Sequence, residues 1–444
     1  MENPSTYKGP IGPLRRRCSH CQSTPVKLLR CLGCSVVWYC NRDHQTAHWP
    51  QHKTICVQTK HARAQLKEEE DRVQNATPDF MTPANAFETH VGHFWGLLHT
   101  RDYMRARFKL AGDFLLALGT LSSVTEALRH LRDMLRLCRG DNMGLRDMIP
   151  AMMLRLDRDQ DCYDFVKWWA TCGSDGNYDW GNTDLPYLDL RNADVFERPG
   201  FLVTDFPSLN NVIAVLLLKL KLIVDIRNIR IARKIFAQRS IPLDICRLVE
   251  RQLVRSPLSH KFLDASSETL IQIECKLLNH TRELGATLVK ANEHFIFNLF
   301  DPDEALSHLP EAYSRGSWDE MTLALRYSYA AFWETAGVLD LLKDARLCAA
   351  RDSADEIEDM MAGETFRSGD GCSRTSEELL QDVSVNRIWG YLDYAVANAS
   401  YLGPWSERPS ERYMRETREA MIDDDYDDDD DYDDDDDDVY TIEA

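Results

Sequence analysis

The chain has 444 residues, of which 44% are hydrophobic and 28% are charged, and its formal net charge is −20. This composition supplies enough apolar surface for a buried core, so it excludes a wholly disordered protein and predicts more than one structural unit. The charge is distributed unevenly, because residues 1–60 contain nine Lys or Arg and two acids, whereas residues 421–444 contain fifteen acids and no base. The chain therefore has a basic head and a very acidic tail.

The sequence contains no stretch of about 18 uninterrupted apolar residues, the length that usually spans a bilayer. The nearest candidate, residues 212–224, includes Lys219 and Lys221 and is interpreted as a buried or amphipathic helix. The first 17 residues lack the apolar core of a signal peptide. We therefore expect an intracellular protein of the nucleus, the cytoplasm or both, with no membrane partner.

Six of the thirteen cysteines lie between residues 18 and 56, close to several histidines. Two Cys-x-x-Cys pairs are followed by further Cys and His residues, a pattern typical of structural zinc sites. Eight ligands predict two closed, four-coordinate sites that leave no position for water or substrate. A segment this short has almost no apolar core, so binding of two zinc ions, each worth roughly 10 to 16 kcal/mol, is expected to fold it.

The ligand spacing, the aromatic Tyr39 before Cys40, and the terminal His-x-x-x-Cys make residues 18–56 resemble a MYND zinc finger. The resemblance implies that the two ligand sets interleave along the chain. The first zinc ion would be bound by Cys18, Cys21, Cys40 and His44, and the second by Cys31, Cys34, His52 and Cys56.

One position departs from the family pattern, because His44 stands where these fingers usually have Cys. Imidazole nitrogen is also a good zinc ligand, so the substitution is compatible with a site. His48 lies four residues further along the predicted helix, and His20 lies between the first two cysteines. Both stay open as alternatives to His44.

MYND fingers bind other proteins, and the resemblance implies that this finger receives short, proline-rich peptides. Gln45 and Trp49 are the corresponding positions here, and they share one helical face at i and i+4. The indole would pack on a proline ring and the amide would bond to the peptide backbone. The alternative is that Trp49 only closes the small core of the finger.

From about Tyr103 the sequence is apolar-periodic with few strand signals, which predicts α-helices. Six apolar positions recur 34 residues later without a gap, and this offset is the period of tetratricopeptide helix pairs. The first set is Ala111, Phe114, Leu115, Leu118, Leu131 and Met134, and the second is Leu145, Met148, Ile149, Met152, Phe165 and Trp168. We therefore predict a mainly α fold, in which the finger precedes a tetratricopeptide-like helical body.

Composition shifts divide the chain into segments. These are a basic N-terminal segment (1–17), the finger (18–56), a linker and helix (57–102), a tetratricopeptide-like domain (103–345) with an insertion at about 169–285, an acidic linker (346–376), C-terminal helices (377–420), and a disordered poly-Asp tail (421–444). The tail cannot bury enough apolar area to fold, and its charges repel one another. One hypothesis is that it masks the basic finger by electrostatic attraction.

Motifs for the main enzyme classes are missing from the sequence. A SET-domain core, an iron-oxygenase His-x-Asp or His-x-Glu, a P-loop, a dinucleotide fingerprint and a hydrolase elbow are all absent. DNA binding is disfavoured, because the finger lacks a recognition helix and the acidic remainder would repel phosphate. We therefore expect a zinc-binding interaction adaptor, with a recruiting transcriptional regulator and an unrecognised helical enzyme as alternatives. The oligomeric state is not predicted.

Overall fold

The structure of the protein, a computed structural model, describes residues 12–239, 241–362, 387–399 and 442–443. It divides the chain into two compact units. The finger unit contains residues 14–156, 175–189 and, among the described tail residues, 442–443. The body unit contains residues 157–174 and most of the described chain from residue 190 onward. This division differs from the predicted one, because the boundary at residues 156 and 157 lies inside the predicted helical domain 103–345.

The finger unit combines a small sheet with several helices. Its strands are β1 (Leu29–Cys31), β2 (Trp38–Tyr39) and β3 (Ile442–Glu443), in the order β2-β1-β3. Its α-helices are α1 (Arg42–Gln74), α2 (Ala86–Thr89), α3 (Arg101–Phe108), α4 (Leu116–Leu118), α5 (Leu121–Leu137) and α6 (Leu145–Arg155). Short 3-10 turns occur at Phe94–Gly96 and Leu98–Thr100, and a π-helix, Lys109–Leu115, joins α3 to α4.

Helix α1 is the element that connects the finger to the helices of its unit. It begins after Asn41, whose side chain accepts a 2.9 Å hydrogen bond from the His44 amide and so caps the first turn. The helix extends well beyond the finger, through much of the predicted linker, and packs on α3 and on the π-helix. Buried Thr59 and Ala62 lie on this packed face. Finger and helices thus share one continuous element.

The regular secondary structure of the body unit, over its described residues, consists of helices joined by loops. Its α-helices are α7 (Asp159–Ala170), α8 (Leu209–Ala237), α9 (Leu243–Leu253), α10 (Ser267–Ala291), α11 (His294–Phe300), α12 (Asp303–Ser307), α13 (Trp318–Glu334), α14 (Val338–Ala362) and α15 (Leu392–Asn398). Single 3-10 turns occur at Cys172–Ser174, Pro257–Phe262 and Ile388–Gly390.

Helix α8 is the centre of the body unit, because apolar side chains cover it on all sides and α7, α9, α10, α13 and α14 pack against it. Two of its three lysines, Lys219 and Lys221, are fully buried and paired. Lys221 forms salt bridges of 2.6 and 2.9 Å with Asp157 and Asp159, and Lys219 donates to the backbone carbonyls of Val195 and Glu197. Asp157 and Asp159 are therefore tied to the central helix of the unit, and the boundary between the two units falls just before Asp157.

The acidic linker predicted at 346–376 is helical in its first part. Helix α14 continues to Ala362 because Ala345, Ala349 and Ser353, each four residues apart, are all fully buried along one face. Residues 363–386 lie outside the described part of the chain, as does most of the segment 377–420. The described residues 387–399 contain a 3-10 turn and the short α15. The predicted disordered tail, 421–444, is described only at β3, which is a strand.

The predicted 34-residue repeat agrees with the helix positions but not with one uninterrupted domain. Ten of its twelve apolar positions are buried, and Phe114 and Leu118 are half-buried, so the set does mark packed faces. Part of the first predicted helix is the π-helix, and the second predicted pair is divided between α6 in one unit and α7 in the other. The protein is mainly helical after the finger, and a tetratricopeptide array stays a prediction.

None of the helices among the described residues is both long enough and apolar enough to cross a membrane. Residues 212–224 belong to α8, as the sequence predicted for a buried helix.

Candidate zinc site

The two Cys-x-x-Cys pairs fold into nearly identical turns. In the first, the Gln22 amide donates to the carbonyl of Cys18 at 2.8 Å, and in the second the Ser35 amide donates to the carbonyl of Cys31 at 2.9 Å. Gln22 and Ser35 have φ values of 59° and 63°, so each turn closes through a left-handed residue directly after its second cysteine. Each turn thereby directs the sulfur atoms of its two cysteines toward the same ligand group.

The remaining ligands come from β2 and α1. Cys40 directly follows β2, and the N-cap at Asn41 fixes where α1 begins. In α1, His44, His52 and Cys56 follow one another at multiples of four residues, so they lie along one face. That face crosses from the first ligand group to the second, and one helix therefore serves both.

The structure brings all eight predicted ligands together in two groups, in which the ligand atoms lie within 4.8 Å of one another. The first group is Cys18, Cys21, Cys40 and His44, and the second is Cys31, Cys34, His52 and Cys56. Every member of the second group is buried, whereas Cys21 in the first group is exposed. Both groups have the interleaved composition predicted from the sequence.

The distances between ligand atoms fit zinc. A tetrahedral zinc ion with Zn–S of about 2.3 Å and Zn–N of about 2.0 to 2.1 Å separates two sulfurs by about 3.8 Å, and a sulfur from a nitrogen by about 3.6 Å. Cys21 Sγ lies 3.6 Å from Cys40 Sγ, and Cys18 Sγ lies 3.5 Å from His44 Nδ1.

The second group has the same geometry. Cys31 Sγ and Cys56 Sγ are 3.6 Å apart, and Cys34 Sγ is 3.5 Å from His52 Nε2. The six finger cysteines are free thiols, so these contacts are not disulfides. Each group therefore has the size of a tetrahedral site with three sulfur ligands and one nitrogen ligand. Two zinc ions fit the two clusters.

Electrostatics in the second group also favours a cation. Hydrogen bonding from Cys34 holds the pKa of Cys31 far below its usual range, while hydrogen bonding with Cys31 raises the pKa of Cys56 far above it. Burial lowers the pKa of His52, but its hydrogen bonds to Cys31 and Cys34 outweigh burial and raise it to about 9. Without a metal, the site therefore retains protons on some of its ligands. A zinc ion would replace these protons, because it binds thiolates and neutral imidazole.

His48 and His20 are outside both groups. The Nδ1 atom of His48 lies 3.0 Å from the Tyr39 hydroxyl, and its ring stacks on His52 with a centroid separation of 5.7 Å. Burial lowers the pKa of His48 to about 4, so the ring is neutral at physiological pH. His20 packs its ring against His44 at 5.0 Å. Of the three candidates, His44 is the one that lies within a ligand group, while His48 and His20 pack against the rings of His52 and His44.

The two residues predicted to bind peptide lie on α1 between the zinc ligands. Trp49 is half-buried, and its ring meets His52 edge-on with a centroid distance of 6.1 Å. Gln45 is only 4% exposed, and its Oε1 accepts a 3.4 Å hydrogen bond from Arg42. The indole is therefore the more accessible of the two side chains.

Several contacts that the sequence did not reveal fix the finger within its unit. Arg63 of α1 pairs with both carboxylate oxygens of Glu126 on α5, and its Nη2 also donates to the carbonyl of the zinc ligand Cys34 at 3.0 Å. The Trp38 indole donates to Ser122 at 2.9 Å, and the Thr120 hydroxyl donates to the Val36 carbonyl at 2.7 Å. The finger is therefore anchored to the start of α5. These partners are 29 to 84 residues apart, and no local pattern signals them.

We predict two zinc ions per chain in the purified protein, as measured by elemental mass spectrometry. His44→Ala should reduce the content to one, because the first site loses a ligand, whereas the matched variant His48→Ala should retain two. If His48→Ala reduced the content to one zinc ion and His44→Ala retained two, His48 would be the ligand.

The comparisons with known proteins concern the same segment. The family model described as MYND finger matches residues 18–56. The chain is 44% identical over 43 residues to the SET domain and MYND-type zinc finger protein 6 of Schizosaccharomyces pombe, which is 10% of this chain and 9% of that protein. It is 41% identical over 51 residues to the zinc finger MYND domain-containing protein 10 homolog of Drosophila melanogaster, which is 12% of this chain and 11% of that protein.

A third relative is the Rho GTPase-activating protein gacZ of Dictyostelium discoideum, 44% identical over 39 residues, or 9% of this chain and 4% of that protein. The chain thus spans about a tenth or less of the length of each relative, and what it shares with them is the finger. No solved structure matches the chain. The finger is a zinc-binding, non-catalytic domain that mediates protein–protein interaction. With both ligand clusters and the family match over the same segment, residues 18–56 of the chain are a MYND-type zinc finger.

Proposed function

We propose that the protein is an adaptor in which the finger captures a short, proline-rich peptide while the body unit binds a second protein. The observation that carries the first half is the position of Trp49. Its half-buried ring lies on the helix that bears three zinc ligands, and it packs edge-on against the ligand His52. A flat aromatic ring with a fixed orientation suits a proline ring in a polyproline II peptide.

Zinc has an indirect role in this proposal. The ions hold α1 against the two Cys-x-x-Cys turns, and so fix the orientation of the indole before a peptide arrives. Preorganisation of this kind lowers the entropic cost of binding. Gln45 is buried beside Trp49, so it supplies at most a single hydrogen bond to the peptide backbone, and Trp49 supplies most of the contact area. The closed ligand sets leave no coordination position for a substrate.

Support for a second partner comes from α9 of the body unit. This helix exposes Leu243, Ile245 and Leu248 by 66%, 51% and 58%, so much of its apolar side faces solvent. Arg247 and Arg251 of the same helix, together with Glu250 and Asp264, line a cleft with a volume of about 520 Å³. Exposed apolar groups beside basic groups fit a segment that carries both apolar and acidic residues.

Trp49→Ala should abolish capture of proline-rich peptides, because the ring that receives the proline is removed, while two zinc ions remain bound. The measurement is fluorescence anisotropy with a labelled library of proline-rich peptides. Phe80→Ala is the matched control, since Phe80 is a fully exposed aromatic residue of the same unit outside the finger. If the Trp49 variant binds as tightly as the parent chain, Trp49 belongs only to the core of the finger.

Leu248→Asp should remove a set of bound proteins different from the set lost with Trp49→Ala, because it places a charge in the apolar face of α9. Quantitative mass spectrometry of proteins captured by the full chain measures this. Leu309→Asp changes an equally exposed leucine elsewhere in the body unit and should lose neither set. If the Leu248→Asp chain captures the same proteins as the parent chain, a second binding surface on α9 is contradicted.

A further inference from the structure

The strand β1 of the finger has a neighbour on each of its two edges. On one edge it pairs antiparallel with β2, with Leu29 opposite Tyr39 and Arg30 opposite Trp38. On the other edge it pairs antiparallel with β3, the described part of the acidic tail. Arg30 lies opposite Glu443 there. The tail thus completes a sheet whose edge would otherwise be available to other chains.

The hydrogen-bonding direction of β1 follows from its pairing with β2. The Cys31 amide donates to the Val37 carbonyl at 2.9 Å, so Cys31 points its backbone groups toward β2. Backbone groups alternate sides along a strand, and the N–H and C=O of Arg30 therefore point toward β3. Arg30 and Glu443 are then the pair that exchanges both backbone hydrogen bonds.

The sequence of the tail favours this arrangement for two independent reasons. The aspartate runs of residues 423–438 are poor strand formers, but residues 439–442 read Val-Tyr-Thr-Ile, which are β-branched or aromatic residues with high strand propensity. The fifteen acids of residues 421–444 are also opposite in sign to the net charge of residues 1–60, a segment in which Arg30 belongs to β1 itself. Strand propensity thus favours pairing by residues 439–442, and the charge of the preceding aspartates favours the same basic target.

We infer that β3 (Ile442–Glu443) is an intramolecular ligand of the β1 edge and closes this edge to extended peptides from partner proteins. Backbone pairing at Arg30 fixes the register, and the aspartate runs supply electrostatic attraction that salt weakens. A pairing of two residues is short, so a partner peptide can displace it. The inference rests on the proposed function in one respect, namely that captured peptides extend along β1 as an added strand.

Amide hydrogen exchange of Arg30 in the full chain tests the pairing directly. Glu443→Pro removes the N–H that would bond to the Arg30 carbonyl, and should accelerate Arg30 exchange about tenfold or more. The matched variant Glu443→Gln retains the backbone N–H and should preserve the protection. The Cys31 amide, bonded to β2, is an internal control and should exchange at the same rate in all three chains. Equal Arg30 exchange in the Glu443→Pro and parent chains would overturn the inference.

A second measurement keeps the inference separate from peptide capture. A synthetic peptide of residues 421–444 added to the Glu443→Pro chain should restore Arg30 protection, less effectively at high salt, whereas a scrambled peptide should not. Restoration by the scrambled peptide would contradict strand pairing. If Arg30 behaves as expected while Trp49→Ala leaves proline-rich peptide binding unchanged, the tail contact stands and the proposed function fails. If Arg30 exchange is unchanged in the Glu443→Pro chain while Trp49→Ala abolishes proline-rich peptide binding, the tail contact is contradicted and the proposed function stands.

Discussion

The local structure of the finger depends on two interleaved groups of thiolate and imidazole ligands. In the second group, three thiols and a buried histidine lie within 4.8 Å of one another, and their mutual hydrogen bonds lower the pKa of Cys31 and raise that of Cys56, so a bound cation would favour the deprotonated thiols. Zinc is such a cation, and the separations of 3.5 to 3.6 Å between ligand atoms agree with a tetrahedral ion. Because the groups share α1, the orientation of that helix depends on both ions.

From this helix, which carries three of the zinc ligands, the constraint extends into the neighbouring structure. Arg63, two turns beyond the last zinc ligand, connects α1 to Glu126 on α5 and to the carbonyl of Cys34. The finger is therefore one part of a larger folded unit rather than a module on a free linker. This arrangement places the surface of Trp49 and the edge of β1 on a rigid support, which suits a site that receives an extended peptide.

What the sequence could predict depends on the range of the interactions. The eight zinc ligands follow from local spacing, and their grouping agrees with the family resemblance. The choice of His44 over His48 needed the structure, because both lie on the same face of α1. The buried helix at 212–224 was also predictable, since its apolar run is long and its lysines are few. The continuation of helix α14 was not predictable, because its buried face consists of small residues such as Ala345 and Ala349 within an acidic segment.

Contacts between distant residues set the features that the sequence did not reveal. The pair formed by Lys221 and Asp159 spans 62 residues and helps to place the boundary between the two units, where the sequence predicted one domain. The role of Trp49 as a binding surface and the repeat architecture of the body were predicted from resemblance, and both stay predictions. Strand pairing of the tail has a weak signal in residues 439–442, which stand out from the aspartate runs only by composition.

X-ray absorption at the zinc edge of the purified protein tests the central claim most directly, because it reports the identity and distance of the ligand atoms. The account predicts an average of three sulfurs at about 2.3 Å and one nitrogen at about 2.0 to 2.1 Å per zinc ion. An oxygen ligand from water, or fewer than three sulfurs per ion, would contradict two closed structural sites.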